Sequence, residues 1–181
     1  MSDWPVIARR IRVPTGFVVA ALYLYLARPS AWSLVVGAII AISGLLIRAA
    51  ASGHVRKNEQ LTTSGPYAYT RNPLYLGSLI LAVGFAVAAR SWLLALVVAL
   101  VFLAIYVPVI QSEEAFLRER FPEFASYAGA VPRLIPRATP FGNVGIRFSW
   151  DLYCKHREYN AAAGSIVLML FLIVKLTWLS K

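Results

Sequence analysis

Five apolar stretches, about Thr15 to Ala27, Trp32 to Ala50, Leu74 to Ala89, Trp92 to Gln111 and Asn160 to Leu179, dominate this chain of 181 residues. A bilayer crossing takes about 20 helical residues, so the pattern predicts an all-α polytopic membrane protein with about five transmembrane helices. The first and third runs are short and need flanking Pro, Tyr or Arg residues at the interface. Trp32, Trp92 and Trp178, with Tyr23 and Tyr25, lie near the run ends, where amphipathic rings favour the headgroup level. Hydrophobic residues make up 59% and charged residues 14%, against roughly 45–50% and 25% in soluble domains, which excludes soluble, disordered and coiled-coil classes. We expect one integral-membrane domain over 1–181.

Five spans would place the N-terminus, the loop from Arg48 to Pro73 and the loop from Ser112 to Tyr159 on one side. That side would hold Arg9, Arg10, Arg12, Arg48, Arg56, Lys57, Arg71, Arg118, Arg120, Arg133, Arg137, Arg147, Lys155 and Arg157. Arg28, Arg90, Lys175 and Lys181 fall on the other. The positive-inside rule then sets the N-terminus and both long loops in the cytoplasm and the C-terminus outside, in the plasma membrane of a microbe. The net charge of +10 is explained by these loops and their attraction to anionic lipid, and no nucleic-acid motif is visible. The early arginines imitate a signal peptide, but the run ends in Tyr23, Tyr25 and Arg28 without a small-residue cleavage site, so a retained span is expected. Cys154 is the one cysteine, which leaves no internal disulfide or thiolate cluster.

Loops beyond about 12 to 15 residues tend to be functional or disordered, and these two do not look disordered. The second, E-E-A-F-L-R-E-R-F-P-E-F-A-S-Y, has Phe116, Leu117, Phe121 and Phe124 at helical spacings and an i,i+4 pair in Glu114 and Arg118. Phe121-Pro122 should break this helix and start another. Within the fourth run Pro108, after Tyr106, should bend the helix and open a gap near the acidic pair. The first loop ends in Ser64-Gly65-Pro66-Tyr67-Ala68-Tyr69-Thr70-Arg71-Asn72-Pro73-Leu74-Tyr75-Leu76-Gly77. Each X-Pro step marks a turn, because the residue before Pro is driven out of the helical region. Three tyrosines, an Arg and an Asn are thereby held on a constrained loop.

The segment G-P-Y-A-Y-T-R-N-P-L-Y-L-G resembles the signature of the integral-membrane methyltransferases, which include isoprenylcysteine carboxyl methyltransferases and phospholipid N-methyltransferases. Their pattern is Gly-Pro-Tyr, then Arg-His-Pro, one residue, Tyr, one residue, Gly. The family's acidic pair after the next hydrophobic hairpin is matched by Glu113-Glu114, followed by Tyr127 and Arg133-Leu134-Ile135-Pro136. The resemblance covers roughly 48–136, and 137–181 holds a connector and the last span. The chain departs from the pattern at Asn72, where the family has His; an amide can hold a polar ligand but cannot shuttle protons.

The resemblance implies S-adenosylmethionine as cofactor and methyl transfer to a lipophilic or lipid acceptor, carboxylate or amine, at the cytoplasmic face. Carried over by position, Gly65, Pro66, Tyr67, Arg71, Asn72, Pro73, Tyr75, Gly77, Glu113, Glu114 and Tyr127 would bind the cofactor. Glu114 is the carboxylate expected to face the pocket and to take a proton from an amine acceptor, whereas Arg133 would orient a carboxylate acceptor. The implied partners are the bilayer and the acceptor; no metal site is expected, and oligomeric state is not legible. The alternatives are an NADPH-dependent reductase of the membrane sterol type and a noncatalytic membrane module. Blander expectations attach to Arg48, which should snorkel to the interface, and to His54 and His156 as loop residues. Asn58 and Glu59 are expected in an exposed loop, the segment from Phe141 to Tyr159 as a connector, and Gly164 and Ser165 as packing points of the last span.

Overall fold

The computed structural model describes residues 4–56, 59–142 and 147–179, which are helical without any strand. Lys57, Asn58 and Lys181, and the side chains of Arg9 and Arg12, lie outside what is described. The main helices are α1 (Trp4–Leu26), α2 (Ala31–Ser52), α3 (Pro73–Ala89), α4 (Trp92–Val101), α5 (Val107–Arg120), α6 (Phe124–Ala130), α7 (Trp150–Lys155) and α8 (Tyr159–Leu179). A π-helical turn, Phe102–Tyr106, joins α4 to α5 into one rod, and a 3₁₀ turn, Gly65–Ala68, precedes α3.

Three helices are long and apolar enough to cross a membrane: Ala31–Ser52, Trp92–Arg120 and Tyr159–Trp178. Pro14–Leu26 and Pro73–Ala89 are shorter apolar helices. The helix of the first run starts well before Thr15, at Trp4, so Arg9, Arg10 and Arg12 stand on a helix rather than ahead of one.

The largest interface is between α2 and α3, which run antiparallel. Gly37 and Gly44 on α2 face Gly84 and Gly77 on α3. A Cβ at Gly84 would come within 2.5 Å of Ala41 N, and one at Gly44 within 2.7 Å of Gly77 O. Small residues at such spacing let backbones approach in lipid, where apolar burial alone favours no particular partner. The close-packing points are therefore here and not in the last span, since nothing lies within 4 Å of a Cβ at Gly164 and Ser165 Oγ turns back to Ala161 O. Helix α8 instead rests on the bundle through fully buried Leu172, beside Tyr23 and Leu34.

At one end of the bundle the helix termini are tied off. Tyr23 Oη donates to Phe85 O at 2.9 Å, Ser33 Oγ to Ala88 O at 3.0 Å, and the Arg28 N–H to Ala89 O at 2.9 Å. Lys175 Nζ reaches Leu24 O and Tyr25 O at 2.6 and 3.0 Å. The Leu24, Tyr25, Ala88 and Ala89 oxygens are among the carbonyls a helix C-terminus leaves without intrahelical donors. Arg90 closes α3 in the left-handed region at φ 51°, and Ser91 opens α4 by accepting the Leu94 N–H.

In the fourth run Pro108 stands in the first turn of α5, directly after the π turn. Pro108 has no N–H to offer Ala104 O four residues back; the Trp4 indole donates to that carbonyl at 2.9 Å. Ile105 and Val109 then pack with Ala8, fixing α1 against this junction. Phe121 does terminate α5, in an extended conformation, although α6 begins at Phe124, with Pro122 in the intervening turn.

Candidate functional site

The opposite end of the bundle is open. The C-terminal end of α2, the first turns of α3, the π turn and α5, and the segment before α8 enclose a cavity of about 520 Å³. That size lies within the roughly 300–1,000 Å³ typical of small-molecule sites.

The signature loop forms one wall because its backbone is clasped from outside. The Arg71 N–H donates to Pro132 O, the Arg137 N–H to Tyr69 O and the Phe141 N–H to Ala68 O, each at 2.9 Å. Thr70 Oγ1 adds bonds to Arg133 O and Leu134 O at 3.2 and 3.1 Å. The two motifs separated in sequence, 64–77 and 133–136, are thus one piece of structure.

Glu114 joins that piece to α5. It is buried, with Oε1 accepting from Asn72 Nδ2 at 2.9 Å and lying 3.3 Å from Arg71 Nε. Its Oε2 accepts from Arg133 Nε at 3.0 Å and lies 2.9 Å from Nη2. The expected pairing with Arg118 is replaced by these, because the loop brings Arg71 and Arg133 to the carboxylate, and Arg118 lies over the Phe124 ring. Asn72 also donates to Arg133 O at 3.0 Å, so the amide at the family's His position acts as a clamp between loop and helix. Arg71 Nη1 holds Ala128 O at 3.1 Å, while its buried Nε makes an ion contact without a hydrogen bond.

Glu113, on the neighbouring face of α5, accepts from Tyr75 Oη at 2.9 Å. Adjacent helical residues point about 100° apart, yet both Glu113 and Glu114 line the cavity. Tyr67 and Tyr127 complete this wall, with Tyr127 Oη donating to Tyr67 O at 2.7 Å. Burial pushes both phenols well above their usual range; Tyr127 and Glu113 nearby add to the rise at Tyr67. Both therefore stay neutral, since burial disfavours the phenolate.

Of the residues named from sequence, Tyr67, Arg71, Asn72, Tyr75, Glu113, Glu114 and Tyr127 line the cavity. Gly65, Pro66, Pro73, Gly77 and Arg133 do not. Gly65 sits at φ 58° against the His54 ring, where a Cβ would come within 2.5 Å, and it starts the turn that aims Tyr67. Pro66 lies within the same turn, Pro73 is the fully buried first residue of α3, and Gly77 packs on α2. Arg133 is half-exposed and grips Glu114 from outside the wall.

Three residues assigned duller roles, or none, also belong to the wall. Arg48 does not snorkel: its Nε meets Glu158 Oε1 at 2.5 Å, and its Nη1 donates to Ser78 Oγ and, at 3.5 Å, to Leu74 O. Glu158 and His156 line the cavity too, and His156 Nδ1 is 3.2 Å from Ser52 O. The connector thereby folds back on α2, helped by the Ser149 N–H on Gly53 O and by Lys155 Nζ, 3.4 Å from Glu59 Oε1. One signal was available in the sequence: an Arg at a span end in a chain with eight acidic residues limits the choice of counter-charge.

Comparison with known proteins supports the resemblance. Residues 38–123 match the family described as phospholipid methyltransferase, a match consistent with an integral-membrane methyltransferase. The chain is 35% identical over 120 residues to the cobalt-zinc-cadmium resistance protein CzcN of Cupriavidus metallidurans, covering 66% of this chain and 54% of that protein. It is 41% identical over 86 residues to the nickel-cobalt-cadmium resistance protein NccN of Alcaligenes xylosoxydans xylosoxydans, covering 48% of this chain and 40% of that protein. The chain thus spans about half the length, or less, of these curated relatives. No solved structure matches it at a significant level.

Proposed function

We propose that the protein transfers a methyl group from S-adenosylmethionine to a lipophilic acceptor at the cytoplasmic face of a five-span bundle in a microbial plasma membrane. The observation that carries this is the meeting of the signature loop and the acidic pair around one cavity at the open end of the bundle. Its wall suits a ligand that is at once zwitterionic, hydroxylated and aromatic. Arg71 brings a guanidinium to the wall for a carboxylate, Glu113 faces cationic and hydroxyl groups, and Phe124 and Leu117 line it with apolar side chains.

When bound, the cofactor supplies an activated methyl carbon, which leaves alignment and exclusion of water to the protein. Such orientation is worth up to about 7–11 kcal/mol. The contacts redistribute the roles read from the sequence. Glu114, held by Asn72, Arg71 and Arg133, is a positioning residue that sets the signature loop. Glu113 replaces it as the carboxylate able to take a proton from an amine, with Tyr75 orienting it. Arg133 acts through Glu114 and is not placed to orient an acceptor directly.

The acceptor's apolar part has a place beside the cavity. A smaller hollow of about 150 Å³, lined mostly by apolar residues of α1, α3 and α4 with Phe102 and Tyr106 of the π turn, shares Ser78 and Tyr106 with the cavity. An apolar tail entering sideways there keeps its head at the polar wall.

The names of the relatives place them in metal resistance, and we extend that setting to this chain as the circumstance in which the acceptor is methylated. Among the described residues no three His, Cys, Asp or Glu side chains are grouped to hold a metal ion. The proposed role therefore runs through methylation.

Calorimetric titration of the purified protein with S-adenosylmethionine and S-adenosylhomocysteine tests the reading. Micromolar binding of both, lost in Arg71→Ala and Glu113→Ala, supports it. Well-folded protein that binds neither ligand, or that binds NADPH instead, overturns it.

A further inference from the structure

Among the described residues, four of the charges lining the cavity are matched in pairs, and Glu113 and Arg56 are the two that are not. Arg71 pairs with Glu114, and Arg48 pairs with Glu158. The Glu158 side chain is 10% exposed, so the second pair is largely withdrawn from solvent, where an unmatched guanidinium would be costly. Arg48 is tied to Ser78, one of the two residues shared between the polar cavity and the apolar hollow. A head group whose tail occupies that hollow must therefore pass the Arg48 guanidinium. The remaining carboxylate of the wall, Glu113, has a hydroxyl partner in Tyr75 and no ion pair among the described residues. Arg56, also without an ion pair there, lies on the far loop beside Gln60 and Thr62.

We propose that Glu158 is the specificity-determining residue for the acceptor: by occupying Arg48 it denies that cation to anionic head groups and leaves Glu113 to select cationic ones. Arg48 lies within the family-matched residues 38–123, whereas Glu158 lies beyond them, on the segment that folds back to seal the cavity. The stretch before α8 thus sets the sign of the acceptor for a core that holds both signs of charge. This inference rests on the proposed lipophilic acceptor and adds that its head is an amine rather than a carboxylate.

The test measures binding of dodecylamine and dodecanoate, two amphiphiles alike in tail and opposite in head charge, to the full chain in nanodiscs of zwitterionic lipid. Empty nanodiscs give the partitioning background, and S-adenosylhomocysteine binding is read on every sample. Wild-type protein is expected to favour dodecylamine. Glu158→Gln frees the guanidinium and is expected to shift the ratio of affinities at least about tenfold toward dodecanoate, as an uncompensated partly buried charge should. Combining it with Arg48→Gln should cancel that shift. A wild-type preference for dodecanoate overturns the proposal without recourse to any variant, and so does a ratio unchanged by Glu158→Gln in folded protein. Absent S-adenosylhomocysteine binding with the charge switch intact would instead count against methyl transfer alone.

Discussion

The two ends of the bundle use the same materials for opposite purposes. At the closed end Tyr23, Ser33 and Lys175 spend their donors on helix carbonyls, and the result is a sealed terminus. At the open end Asn72, Tyr75 and Arg71 direct theirs to carboxylates and loop carbonyls, and the result is a hollow with charged walls. A polar side chain near a span end is therefore not by itself a sign of function. Its partner decides, since a bond to an orphan carbonyl finishes a helix and a bond to a second side chain builds a wall.

Breaking the hub of the open end should have the largest effect. Glu114→Ala leaves Arg71 and Asn72 without their carboxylate, and losing one partner of a buried pair costs about 3–5 kcal/mol. We expect lowered thermal stability together with lost S-adenosylhomocysteine binding. In the shared core, Gly84→Val forces a side chain against the Ala41 backbone. Overpacking of this kind costs about 3 kcal/mol, and the melting curve should show it at both ends at once. Tyr23→Phe sharpens the contrast. Losing the hydroxyl's bond to Phe85 O costs about 0.5–1.5 kcal/mol, while ligand titration should be unchanged. Weakest is Lys175→Met, where loss of a cation at a helix C-terminus costs about 0.3–1 kcal/mol, read as a small fall in melting temperature and no change in binding.

Alkaline pH offers a graded version of the first experiment. Tyr67 and Tyr127 have raised folded-state pKa values, so both phenols are protonated in the folded and unfolded chain well below about pH 10 and contribute no pH dependence there. Above that point the unfolded phenols ionise first, and stability falls as pH rises. Tyr127→Phe should flatten part of that decline in a series of melts, and an unchanged slope would mean that its burial does not govern the loss.

Much of the fold was legible because membrane helices announce themselves by length and apolarity, and an irregular helix near Pro108 because proline removes a donor. The helix of the first run was underestimated because arginines interrupt the apolar pattern without interrupting the helix. Glu113, Glu114, Tyr75 and Arg71 were legible as a motif, and their shared cavity was not, since it depends on the chain returning at Pro132 and Arg137. Glu158 was invisible for a related reason: it has no motif, and its importance comes from Arg48, 110 residues away. Gly77 fits the motif but serves helix packing, a distinction that one sequence read alone does not make.

The clasp between Ala68–Arg71 and Pro132–Phe141 also determines where the chain can change length. Everything between its two sides, from α3 to α6, is a loop fastened at the neck like a drawn purse. Residues added at the Arg90–Ser91 turn only lengthen the bag. One residue added between Pro132 and Arg137 shifts the fastening itself, carrying Arg133 off Glu114 while every span remains in place.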